Sequence, residues 1–179
     1  MPTTLTRILC TAGLTLMLGW SPAYATIIRY QATNLTDVGT GDLWEYQYQV
    51  SNRAFLSGQG FDILFDLGDG DLETSPTSPG VDWDILTIQP DPGLPDDGRY
   101  DALALFDDPE LSVFFTVQFL WHGSGTPGSQ RFKIYDSRFQ PIETIETGVT
   151  IPFGATVPEP GTLALTVLGW LALARRRRA

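Results

Sequence analysis

From Trp44 to Val50 apolar and polar residues alternate without a break, with Trp44, Tyr46, Tyr48 and Val50 on one side and Glu45, Gln47 and Gln49 on the other. A helix would scatter those four large side chains around its circumference, whereas an extended chain gathers them on one face. The same period returns at Val113, Phe115, Val117, Phe119 and Trp121, where Phe114 and Leu120 on the opposite side predict a strand covered on both faces. Further extended segments are expected at Ile27–Asn34, Phe61–Leu67, Trp83–Ile88, Tyr100–Phe106, Gln130–Tyr135 and Ile142–Ile151. Turn-rich stretches separate them at Leu67–Val81, Gln89–Gly98 and Gly123–Ser129. No part of residues 26–156 keeps a helical period over three turns. The fold class expected is therefore all-β, a single antiparallel β-sandwich or jelly-roll-like domain.

The flanks of that body read differently. Residues 1–25 contain Arg7 near the start, an apolar stretch from Ile8 to Trp20, and Ala23-Tyr24-Ala25 ahead of Thr26. A positive lead, an apolar centre and a small-x-small site form a secretory signal peptide, with cleavage expected after Ala25. Cys10 lies inside the apolar stretch and follows Leu9, where lipoprotein processing wants a small residue. Cleavage would leave no cysteine in the mature chain, so extracellular stability must come from packing or bound ions.

Charge narrows the partners. Residues 26–157 hold twenty Asp and Glu against six Lys and Arg, a net of −14. Nucleic acid, which is bound through cationic contacts that release counterions, is not an expected partner. Solubility outside the cell is the simplest consequence of such a charge.

Residues 157–179 fall into three parts: Val157-Pro158-Glu159-Pro160-Gly161-Thr162, an apolar run from Leu163 to Ala174, and Arg175, Arg176, Arg177 and Arg178. Pro158 fixes its own φ and Pro160 keeps Glu159 out of the helical region, so the segment is expected to be a stiff extended strut displaying one carboxylate. The apolar run has twelve residues, about 18 Å of helix, against a hydrocarbon core of about 30 Å. It is expected to form a short membrane helix, with the four arginines as a stop on the cytoplasmic side. These three parts in this order resemble the PEP-CTERM sorting signal. The resemblance is confined mainly to these 23 residues. It implies export from a Gram-negative bacterium that makes extracellular polysaccharide, with recognition of Pro158, Glu159 and Pro160 by an exosortase-type membrane protease. The implied location is transient anchorage in the inner membrane, then the cell envelope, outer surface or matrix.

Catalytic patterns are sparse. His122 is the only histidine, no Ser lies in a Gly-x-Ser-x-Gly elbow, and no phosphate-cradling Gly-x-x-x-x-Gly-Lys occurs. The chain is accordingly read as a non-enzyme. Asp66, Asp69, Asp71 and Glu73, beside Gly68 and Gly70, are candidate calcium ligands, since calcium takes several oxygens from a flexible loop. The stretch departs from the EF-hand pattern, because Thr74 stands where glycine is required, and an acidic turn is the alternative. Trp44, Trp83 and Trp121 are candidate sugar-stacking residues, with core packing as the alternative. The function expected is an exported structural or adhesive protein associated with exopolysaccharide. A carbohydrate-binding module is the alternative, and a glycoside hydrolase a more distant one that needs two suitably spaced carboxylates.

Overall fold

The computed structural model describes residues 25–37, 41–68, 70–72, 80–94 and 96–156. The expected signal helix through Tyr24 and the expected C-terminal membrane helix lie outside them. Among the described residues there is no helix long and apolar enough to cross a membrane.

Among the described residues ten strands form in chain order: β1 Ile27–Asn34, β2 Asp42–Ser51, β3 Gln59–Phe65, β4 Gly70–Leu72, β5 Trp83–Ile88, β6 Gly98–Ala104, β7 Phe115–Trp121, β8 Arg131–Asp136, β9 Glu143–Val149 and β10 Ile151–Pro152. They make two five-stranded sheets, ordered β10-β1-β2-β7-β4 and β5-β6-β3-β8-β9. Every pairing between these strands is antiparallel except that of β1 with β10. The class is all-β, as the alternation predicted.

Both sheets contribute to one apolar core, and rings meet across them. Phe115 of β7 lies 4.9 Å from Phe61 of β3 and 5.1 Å from Trp83 of β5, both edge-on, while Phe119 lies 5.4 Å from Phe65. Edge-to-face contacts at such spacings suit the ring quadrupoles and add to the gain from removing the rings from water. On β2 the alternation holds: Trp44, Tyr46, Tyr48 and Val50 are buried, and the residues between them are not.

Four expectations need correction. The strand at Val113–Trp121 begins at Phe115, and it is not covered on both faces: Val113 and Phe114 are exposed, with Phe114 meeting Phe153 outside the core. Leu120 gains its partial cover from the bare surface of Gly41, where a Cβ would stand 2.7 Å from it. The segment expected from Tyr100 to Phe106 instead runs from Gly98 to Ala104, leaving Phe106 exposed. Within the stretch read as turns, Gly70–Leu72 forms β4 against β7. The late segment at Ile142–Ile151 divides into an edge strand, β9, and the short β10, which crosses to the other sheet.

Candidate functional site: a polar cleft on the second sheet

The outward face of the second sheet carries the chemistry. In register across β5, β6, β3 and β8, Leu86, Asp101, Asp62 and Lys133 form one row. The adjacent row is Asp84, Leu103, Gly60, Tyr135 and Thr144, the last supplied by β9. Arg99, Ser137 and Ile142 complete an open cleft of about 380 Å³. Period two explains the placement: Phe61, Ile63, Tyr100 and Ala102 point into the core, so the intervening Asp62 and Asp101 point out.

Asp62 is nonetheless only 3 % exposed. A buried carboxylate is tolerated when a cation meets it, and Lys133 Nζ lies 3.0 Å from its Oδ2. Its Oδ1 has no donor from the protein, and Arg99 Nε is likewise buried without an acceptor. Burial first, and then the hydrogen bond and charge of neighbouring Asp62, push the Asp101 carboxyl up to about 7. The Tyr135 hydroxyl, which donates to Asp101 Oδ1 at 2.8 Å, and the Arg99 charge pull the other way. Tyr135's own phenol is pushed up by burial and by the Asp101 charge.

Near neutral pH Asp101 therefore holds its proton part of the time, because burial and the nearby Asp62 disfavour its ionised form. With Asp101 protonated, the negative Asp62 and Asp84 balance the positive Arg99 and Lys133. The cleft is then formally neutral, lined with both donors and acceptors and walled by Leu86, Leu103 and Ile142.

The residues expected to form sites are placed as follows. Trp44 and Trp83 are 8 % and 5 % exposed, packed in the core, and offer no ring face to a sugar. Their stacking role is corrected for a simple reason: each shares the inward parity of its strand. Trp121, half-buried, packs edge-on to Phe119 and donates from Nε1 to the Gly125 carbonyl at 3.1 Å. Of the acidic loop, Asp66 is held by Arg131 at 2.6 Å, and Asp71 lies 3.7 Å from exposed His122. Arg131 also binds Asp97 at 2.8 Å. Asp69 and Glu73 lie outside the described residues, as do Ala23, Pro158, Glu159, Pro160 and Arg175 to Arg178. Among the described residues no three His, Cys, Asp or Glu are grouped to hold a metal ion. Ala25 is exposed at the start of the described body.

The sequence reading did not single out Asp62, Arg99, Asp101, Lys133 or Tyr135. A signal was present in Gly60, since a glycine inside a strand often marks the close approach of another group. Here that group is Tyr135. No protein-family model matches the chain, and no curated protein matches it either.

Proposed function

We propose that this chain is an exported β-sandwich protein of the cell envelope or polysaccharide matrix, with a structural or adhesive role, sorted by a PEP-CTERM and exosortase-type system. It leaves the cytosol through Sec-type machinery, loses its leader to signal peptidase, and is held in the inner membrane until the tail is processed. The observation that carries this reading is the order of the three C-terminal parts: the proline-framed Glu159, the short apolar run, and Arg175 to Arg178. The body is compatible with export, because its aromatic core involves no cysteine. Both of its ends also lie at β1. β10 pairs with Arg29 and Tyr30, and Arg29 donates to the Ala155 carbonyl at 3.0 Å. Seven residues separate Ala155 from Leu163, a reach of at most about 29 Å. The tethered body would thus sit close to the membrane.

The test is replacement of Pro158, Glu159 and Pro160 by alanine, followed by fractionation. The full-length form is expected to stay in the inner membrane, and unchanged release would count against the reading.

A second reading, a non-catalytic carbohydrate-binding module, is favoured by the cleft. Sugar hydroxyls both donate and accept, which matches Asp62 Oδ1 and Arg99 Nε better than a charged ligand does. Affinity electrophoresis tests it: a neutral glucan should retard the protein and a polyuronate should not. Equal mobility in both gels would dismiss it.

A further inference from the structure

Thr26 stands at the junction of leader and body, and its surroundings are unusual for such a place. It is only 6 % exposed, although Ala25 before it is exposed. Its backbone nitrogen donates to Glu146 Oε1 at 2.8 Å, and its hydroxyl donates to Oε2 of the same carboxylate at 2.6 Å. The two residues are 120 positions apart. Thr26 leads into β1 of the first sheet, while Glu146 belongs to β9, the edge of the second. Arg53 Nη1 also meets Oε2, at 3.5 Å. The charged groups brought against this carboxylate and Thr26 are thus Glu146 and Arg53 alone among the described ion pairs.

We propose that Glu146 is a preformed receptor for the α-ammonium group that leader removal creates on Thr26. The inference rests on cleavage after Ala25. Hydrolysis of the Ala25–Thr26 bond adds water: the hydroxyl goes to the Ala25 carbonyl carbon and a hydrogen to the Thr26 nitrogen. The new carboxylic acid then ionises and the amine takes up a proton. A neutral amide donor becomes a cation already 2.8 Å from a carboxylate, and a charge-assisted bond is roughly twice as strong as a neutral one. The strengthened contact ties the two sheets together at β9, none of whose residues is fully buried. Processing therefore tightens the fold at its least packed edge.

The order of events follows. A peptidase needs an extended, accessible segment on both sides of the bond. In the folded body Thr26 is buried and Ile27 is already paired with Ser51. Cleavage must come before this end of β1 docks.

The test uses the full chain, with a specific protease site replacing the end of the leader; the chain is cut in urea, where β1 is undocked, so that Thr26 comes first, and is refolded into detergent beside an uncut sample. Melting is recorded for both. At pH 6 the cut should raise the melting temperature by about 3–6 °C. A raised α-amine contributes fully below its unfolded value of about 7.7–8.0 and is lost as pH rises through its folded value. The gain should therefore vanish at pH 10. It should also vanish in Glu146→Gln, and in a chain cut to begin at Ala25, which carries the charge one residue out of place. No gain at pH 6, or an equal gain from the Ala25 start, would overturn the proposal. The amino-terminal sequence of the protein recovered from cells is a separate readout. A first residue other than Thr26 there refutes the cleavage reading, whereas the melting comparison judges Glu146 directly.

Discussion

Tyr135 lies across Gly60, its partner on the neighbouring strand, so closely that a Cβ on Gly60 would stand 2.5 Å from the Tyr135 hydroxyl oxygen. The missing side chain is what lets the phenol reach Asp101 on the strand beyond. A residue with no chemistry of its own thus positions the donor that moderates the carboxyl pair.

Gly60→Ala should therefore displace Tyr135 and destabilise the body by about 1–3 kcal/mol, the usual range for overpacking. The same Cβ would also press on the Ala102 carbonyl, leaving little room for relief. Chemical denaturation measures the loss, and a neutral substitution would show that the ring has another place to go.

The pH dependence of stability should carry the signature of Asp101. Its folded value of about 7 lies above the ordinary carboxylate value, so the folded state holds the proton more tightly than the unfolded chain. The sign follows: this contribution is complete below about pH 4 and is lost as pH rises through about 7. Asp101→Asn should flatten that segment of the curve. Tyr135→Phe, which removes a donor that lowers the Asp101 value, should move its midpoint upward. A curve with the same slope in wild type and Asp101→Asn would contradict the assignment.

Asp136 titrates in the opposite sense. Arg138, meeting it through side chain and backbone, holds its carboxyl well below the usual range. Its contribution is present above about pH 4 and is lost as pH falls. Arg138→Gln should accordingly weaken the fold at pH 7 more than at pH 2.5, which melting at the two values would reveal.

Phe115 should be the most costly core position. It meets Phe61 and Trp83 of the facing sheet, and Phe115→Ala is expected to cost about 3–5 kcal/mol. Loss of near-ultraviolet ellipticity together with the far-ultraviolet signal would show both sheets melting as one. Separate transitions would show that they do not share a core.

Much of the fold was legible because burial on one face writes period two directly into the chain. Trp44 to Val50 and Phe115 to Phe119 are the clearest cases. β4 was not legible, since three residues, Gly70, Asp71 and Leu72, give alternation no length in which to register. β9 was blurred because an edge strand without buried residues need not separate apolar from polar. The cleft was hidden for a different reason. Asp62, Asp101 and Lys133 occupy outward positions where polar residues are ordinary. Only the register that aligns β6, β3 and β8 makes them neighbours. Tyr135 keeps the alternation of β8, but the irregularity beside it, where Ile134 pairs with Glu146 and Tyr135 with Thr144, skips Ile145 and breaks the period of β9. The tryptophans err the other way: their chemistry fits sugar stacking, but strand parity puts Trp44 and Trp83 inside.

Calcium remains a proposal for the acidic turn. Arg131 already occupies Asp66, so any effect of calcium on melting should grow in Arg131→Gln, which frees that carboxylate. Superimposable melting curves with and without calcium, in both proteins, would retire it.

Export with removal at both ends would be visible in the intact mass of the protein recovered from the producing cells. The expected species is found in the envelope or medium and has lost its first 25 residues and the residues beyond Pro158-Glu159-Pro160. A full-length mass recovered from the cytosol, with leader and arginines still attached, would contradict both export and removal.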